Sequence, residues 1–312
     1  MKRKNCKGAI EISFSWLFAI IAGIAIIFAA FYLSSKFISI GEKSTSVQTG
    51  KELQILFNPL ETSFQSSQTT SITVPSETRI NNNCEDSEPF GRQGIQIDQK
   101  NFNKWSNTNV NVWTNNRYIF SMKQVEGKKF YIFSKQFNFP FKVADLIFLT
   151  SENQNYCFKD APQEIIDDIS PLEQENIFFE NCPIKSINVC FETEQCDVNV
   201  NYLRGYVKKG EDFLYFAGVN GDATPLMYAA IFSDKEVYEC QIKRLSMRLK
   251  ELSSLYFQKE NLLLKEGCED NLQVSLYNLN KLEIQNSQEF SFLQNQIDLI
   301  YENNNFRKCN LW

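Results

Sequence analysis

Nine cysteines and no histidine set the limits of the chemistry open to this chain. Without imidazole there is no Ser-His-Asp or Cys-His nucleophile arrangement, no histidine acid–base step and no histidine metal triad. Zinc would need an all-thiolate or partly acidic site, and no Cys-x-x-Cys knuckle is there to start one. Aspartates and glutamates are plentiful but scattered over expected turns and helix faces, where a solvated surface is the ordinary reading. Neither a Walker-type loop nor a dinucleotide-binding glycine fingerprint occurs. The one glycine-rich loop, Gly218-Val219-Asn220-Gly221-Asp222, lacks the spaced acidic ligands of a calcium loop and reads as a plain turn. The expectation is a protein with no catalytic constellation, no metal and no cofactor.

What remains for the cysteines is crosslinking. Cys6 stands apart near the N-terminus, and Cys84, Cys157, Cys182, Cys190, Cys196, Cys240, Cys268 and Cys309 form an even set of eight. In an oxidising compartment these would close up to four disulfides, with connectivity that spacing alone does not give. One local bridge is readable: in Val189-Cys190-Phe191 and Cys196-Asp197-Val198 two short strands flank a tight polar turn, which favours Cys190 with Cys196.

Compartment follows from the N-terminus. Residues 12–33 carry no charge and no proline, and at 1.5 Å per residue they are long enough to cross a hydrocarbon core of about 30 Å. Lys2, Arg3, Lys4 and Lys7 precede the run, whereas Lys36, Glu42 and Lys43 behind it give a mixed balance. A cytoplasmic N-terminus with the bulk of the chain outside is therefore expected. A removed secretory signal is the competing reading, but its apolar core would be shorter and no clear Ala-x-Ala site follows.

Lys7-Gly8-Ala9-Ile10-Glu11 ahead of an apolar helix resembles the class III signal peptide of archaeal type IV pilins and archaellins, over residues 1 to 35 only. The resemblance implies cleavage between Gly8 and Ala9, loss of the leader 1–8, retention of the transmembrane helix 9–33 and packing against other pilin-like subunits. Glu11 would then be third in the mature chain, whereas many pilins carry their acidic residue fifth. A carboxylate at the membrane edge needs a partner, either the new α-amino group or Lys7 one helical turn back.

Composition bounds the rest. With 43% hydrophobic and 14% aromatic residues, the chain can bury a real core beyond the anchor. Residues 1–43 hold six basic and two acidic side chains, so the remainder carries −9 of the overall −5, which argues against nucleic acid as a partner. No Asn-x-Ser/Thr acceptor for N-glycosylation is present.

The elements that must position these residues are of mixed type, an α+β fold. Val47, Leu53, Leu56, Phe57 and Leu60 near helical spacing predict a helical stalk over 34–66. Residues 67–225 read as a β-rich ectodomain, with strands over 109–120 and 127–133 around a Val125-Glu126-Gly127-Lys128 turn. Phe137, Phe139 and Phe141 alternate, as on a core-facing sheet surface or, more sharply, an aromatic docking surface. Residues 161–178 are expected to contain an amphipathic helix with Ile165, Ile166 and Ile169 on one side, and 187–217 to return to strands meeting at Lys208-Lys209-Gly210.

Over residues 226–312 the period becomes helical. Tyr238, Ile242, Leu245, Leu249, Leu252, Tyr256 and Leu263 mark a first helix, and Leu272, Leu276, Leu279, Phe290, Leu293, Ile297 and Ile300 a second after the Gly267 stop, together an antiparallel hairpin. That arrangement puts Cys240 and Cys309 at the hairpin base and Cys268 at its tip, so a bridge from Cys268 to either is not expected. Two function classes follow: a membrane-anchored extracytoplasmic structural or interaction protein, such as a pilin-like minor subunit or assembly factor, or an extracytoplasmic ligand-binding or enzymatic domain on a simple anchor.

Overall fold

A computed structural model describes residues 16–34, 36, 68–87, 89–101, 104–105, 111–192, 196–268 and 272–312. The chain divides into two units, residues 1–45 and 46–312. In the first, helix α1 (Trp16–Ser34) has 19 residues and is long and apolar enough to cross a membrane. At 1.5 Å per residue it spans about 28 Å. None of its side chains is buried within the protein, and Phe18 and Phe28 are about 70% exposed. The leader, Cys6, the Gly8–Ala9 junction, Glu11 and all of the expected stalk but residues 34 and 36 lie outside the described residues.

The second unit is α+β. Its first sheet has seven strands: β1 (Gln68–Glu85), β2 (Arg92–Asn101), β3 (Lys104–Trp105), β4 (Asn111–Thr114), β5 (Tyr118–Phe120), β6 (Gln124–Asn138) and β7 (Lys142–Ser151). Their order is β3-β2-β1-β6-β7-β5, with β4 also on β2. Pairing is antiparallel except between β5 and β7. Residues 125–128 are no turn: β6 runs through them, with Gly127 opposite Thr78. A Cβ on Gly127 would stand 3.2 Å from that of Ser151, so this glycine serves a close approach of two strands, a use that local sequence does not distinguish from a turn.

Alternation along these strands feeds two cores. Ile119, Phe130, Ile132, Ile147 and Leu149 face one cluster with Ile80, Ile95 and Ile97, while Tyr118, Phe120, Phe133, Leu146 and Phe148 face the main core. Phe137, Phe139 and Phe141 are all buried there, which settles them as core rather than docking surface. Phe139 stacks on Phe290 at 4.6 Å, and Phe141 meets Tyr256 at 4.4 Å.

The second sheet comprises β8 (Tyr156–Lys159), β9 (Ile177–Phe178), β10 (Ile187–Phe191), β11 (Val198–Asn201), β12 (Tyr206–Lys209) and β13 (Asp212–Tyr215), in the order β13-β12-β11-β10-β8-β9. β12 and β13 form the expected hairpin, with Gly210 at φ +58° in its turn. β10 and β11 run parallel, so they are not the two arms of a hairpin. The helix expected over 161–178 is short, α2 (Gln163–Ile169), with Ile165 and Ile169 buried and a strand, β9, taking its last residues.

Between the sheets lies α3 (Thr224–Phe232), all nine of whose residues are buried. Phe232 packs edge-on to Phe133 of the first sheet at 5.7 Å and to Tyr156 of the second at 4.8 Å. A helix apolar on every side has no periodic stripe, so it gives no amphipathic signal.

The remaining helices are α4 (Lys235–Lys265), α5 (Gln273–Lys281), α6 (Ser287–Ser291) and α7 (Gln294–Asn305). α4 stops at Lys265, just ahead of Gly267 at φ +90°, and buries Tyr238, Ile242, Leu245 and Leu249. The second expected helix is divided. α5 returns from the tip of α4, residues 282–286 are non-helical, and Ser287 lies beside Glu239 at the base, its N–H and hydroxyl donating at 2.7 and 2.6 Å. α7 then climbs back toward the tip, where Arg307 pairs with Glu260 at 2.7 Å and Trp312 packs on Tyr256 at 5.3 Å. From 286 to 307 is about 31 Å of helical rise, enough for that second pass.

Candidate functional site

All eight cysteines of the second unit pair: Cys84–Cys240, Cys157–Cys182, Cys190–Cys196 and Cys268–Cys309. The local bridge read from spacing is among them. Cys268–Cys309 overturns the expectation that the tip and base cysteines are too far apart, because the reversal at 282–286 delivers Cys309 to the tip, with a Cα separation of 6.0 Å. With every one of the eight oxidised, no thiolate is left among them for an all-thiolate zinc site.

Cys84–Cys240 ties the end of β1 to the start of α4, and a buried polar network extends that seam. Asn82 Nδ2 donates to the Ile119 carbonyl at 3.0 Å and to Ser121 Oγ at 2.8 Å. Gln93 Nε2 donates to Asn82 Oδ1 at 2.7 Å, while its Oε1 accepts from Ile119 N and Gln241 Nε2. Two side-chain amides thus satisfy the free edge of β5, a use of polar residues inside a core that is stable because each has partners. Arg244 completes it, donating to the carbonyls of Arg117, Asn115 and Phe90 and to Gln241 Oε1. Burial pushes Arg244 down to about 10, so it stays charged at neutral pH, stacked 4.7 Å over the Tyr118 ring. These groups hold structure. Of them, Asn82 and Cys84 border a cleft of about 380 Å³ at the end of β1.

A second polar cluster joins β6, α2 and α3. Lys135 pairs with Asp168, to which the Tyr228 hydroxyl also donates at 2.8 Å. Burial, with Asp168 beside it, holds Tyr228 well above the ordinary phenol range, so it acts as a donor rather than a phenolate nucleophile.

The Gly218–Asp222 loop is a turn, held by Gln294 and Asp298. Gly218 N donates to Gln294 Oε1 at 2.9 Å, Gln294 Nε2 returns to the Gly218 carbonyl at 2.7 Å, and Asn220 N donates to Asp298 Oδ1 at 2.8 Å. It borders a cleft of about 570 Å³ between Tyr202, Leu203, Tyr215 and Phe292. Leu203 and Phe292 stand mostly exposed at its rim.

The outward face of β1 and β2 carries the other candidate. Strand register arranges its side chains in cross-strand rows: Glu126, Arg79 and Asp98; then Gln124, Asn81 and Gln96; then Asn83, Gly94 and Trp113. Trp113 lies across Gly94, where a Cβ would come within 2.6 Å of the indole ring. At the other end Trp105 is covered by the Arg79 guanidinium at 4.2 Å. Two clefts, of about 480 and 380 Å³, run along this face and share Asn83 and Lys123. Among the described residues no group of three or more Cys, Asp or Glu side chains is placed to hold a metal ion. Neither tryptophan nor the amide row is visible as a site in the sequence, since alternating polar residues on a strand read as an ordinary solvated face.

Compared with known protein families, curated proteins and solved structures, the chain finds no match.

Proposed function

We propose that this chain is a single-pass, membrane-anchored extracytoplasmic protein that acts by presenting a surface, as a structural or interaction partner, and not by catalysis. The observation that carries this is a conjunction: an apolar helix long enough to span a bilayer precedes a domain whose eight cysteines are all oxidised. Persistent disulfides belong to oxidising compartments, and a basic cap ahead of the helix favours a cytoplasmic N-terminus. The lipid bilayer is then the first partner.

The finer reading is a pilin-like minor subunit or assembly factor. Its support is the Lys7-Gly8-Ala9-Ile10-Glu11 junction, with cleavage after Gly8, Glu11 near the new N-terminus and α1 packing against like helices. Residues 34–66 serve as a helical spacer, and the C-terminal helices brace the ectodomain. Nucleic acid has no place beside an acidic domain. The alternative, a ligand-binding or enzymatic domain on a plain anchor, is favoured in its binding form by the tryptophan-flanked face.

The test is an intact mass of the protein from its native membrane, alkylated before reduction. Pilin-type processing removes residues 1–8 and Cys6 with them, so the product carries no alkylated thiol. A full-length product with one labelled thiol keeps the anchor and removes the pilin reading. Labelling of the eight cysteines beyond Cys6 would sink the extracytoplasmic assignment.

A further inference from the structure

We propose that Lys135 and Asp168 condense into an isopeptide bond, an amide that the folded domain closes on itself between β6 and α2. Position comes first. Along β6, Phe133, Lys135 and Phe137 alternate onto one side of the strand, and both phenylalanines are buried in the main core. Lys135 thus takes a core-facing place, and its side chain is only 13% exposed. The ion-paired Lys100, Lys129 and Lys243 are 25–32% exposed. Asp168 reaches Lys135 from α2, on the turn that carries the buried Ile165 and Ile169. Lys209 is also enclosed, but it donates to the Ile231 and Ser233 carbonyls, and a peptide carbonyl does not acylate an amine under these conditions. Lys135 faces a carboxyl group, which does.

Two further groups complete the arrangement. The Tyr228 hydroxyl donates to Asp168 Oδ2 at 2.8 Å, the same oxygen that Lys135 Nζ meets, and Nζ stands 5.0 Å from the centre of the Tyr228 ring. Thr224 Oγ1 lies 3.5 Å from Nζ and donates to Asp222 Oδ1 at 2.7 Å, so a second carboxylate is one hydroxyl away from the amine. Passing a proton across the ion pair turns ammonium and carboxylate into amine and carboxylic acid, the reacting forms. Nζ then bonds to Asp168 Cγ, the Cγ–Oδ2 bond breaks, and Oδ2 leaves as water with two of the ammonium protons. The third proton stays on the amide nitrogen, so no oxidant or co-reactant is needed. Tyr228, aimed at Oδ2, stabilises the charge on that oxygen as it departs, while Thr224 and Asp222 hold the second proton in transit. The bond closes a loop of 33 residues. It fastens β6, an inner strand of the first sheet that none of the four disulfides reaches.

The test takes the full chain, made by cell-free synthesis into phosphatidylcholine nanodiscs in an oxidising glutathione buffer. Its intact mass, read after reduction and alkylation, should fall about 18 Da short of that of the sequence, the mass of one water. Trypsin does not cut after an acylated lysine, so the digest should hold a branched peptide joining the Lys135 and Asp168 segments. Lys135→Arg, which keeps the positive charge, should restore the full mass. Tyr228→Phe, followed by mass over time, should slow the loss of water by about 100-fold. Unchanged circular dichroism identifies variants that remain folded. A wild-type chain of full mass, cut by trypsin after Lys135, overturns the inference. So does a loss of water that survives Lys135→Arg, which would belong to a succinimide at an aspartate. Loss of water at the wild-type rate in Tyr228→Phe overturns the step as written. Removal of residues 1–8 and loss of one water are separate mass changes, so the pilin reading and the isopeptide can each fail without the other.

Discussion

Replacing Cys268 and Cys309 with serine tests the course of the C-terminal helices directly. The bridge closes a loop of 41 residues. In the chain-entropy description, opening such a loop frees the unfolded chain by about 4 kcal/mol at 25 °C, against about 2 kcal/mol for the six-residue Cys190–Cys196 loop. The native side should change little, because Glu260 with Arg307 and the Lys259 Nζ bond to the Leu311 carbonyl at 2.5 Å still hold the segment. At roughly 2–4 °C per kcal/mol for a domain of this size, the midpoint falls by about 8–15 °C. Thermal melts of the full chain, on a Cys6→Ser background so that no thiol can shuffle bridges, read this number against the Cys190→Ser/Cys196→Ser variant. A smaller loss for the long loop than for the short one, or a peptide map joining Cys240 to Cys309, would refute the second pass made by α7.

Two further outcomes follow from buried charge. Arg244→Met leaves the carbonyls of Phe90, Asn115 and Arg117 without their donor, and urea unfolding should show a loss of about 3–5 kcal/mol; a loss under 1 kcal/mol would mean that the network is not formed. Lys209 donates to the Ile231 and Ser233 carbonyls, yet burial pushes it down to about 8 from 10.5 in the unfolded chain. Between those values the unfolded state holds a proton that the folded state has released, so stability rises with pH across that window. Measured as wild type minus Lys209→Met, again without Cys6, the difference should grow from pH 8 to pH 10.5 by up to about 3 kcal/mol, and a flat difference would place Lys209 in solvent.

Local signals carried well wherever one face of an element meets one core. Tyr238, Ile242, Leu245 and Leu249 announce α4, Gly267 its end, and Lys208-Lys209-Gly210 the last hairpin. They failed where tertiary structure chose. Leu272 to Ile300 keep one helical phase, but the phase does not reveal that residues 282–286 reverse the direction of the chain. Gly127 has the composition of a turn and the role of a close strand contact. Asn82, Gln93, Gln241 and Arg244 are buried polar residues, invisible to any hydrophobic pattern. The tryptophan face was illegible for the opposite reason: nothing in one strand says which side chains the neighbouring strand sets beside it.

The packing of Leu311 and Trp312 has a consequence for biosynthesis. Leu311 is fully buried and Trp312 meets the Phe141 ring at 5.4 Å, although more than half the chain separates the two aromatics. At about 5–20 residues per second, some ten to thirty seconds pass between the synthesis of Phe141 and that of its cover. Until then the aromatic strands of the first sheet have an open flank. Without the segment from Cys309 onward, that flank of Phe141 would stand uncovered and the arm beyond Cys268 would lose its disulfide.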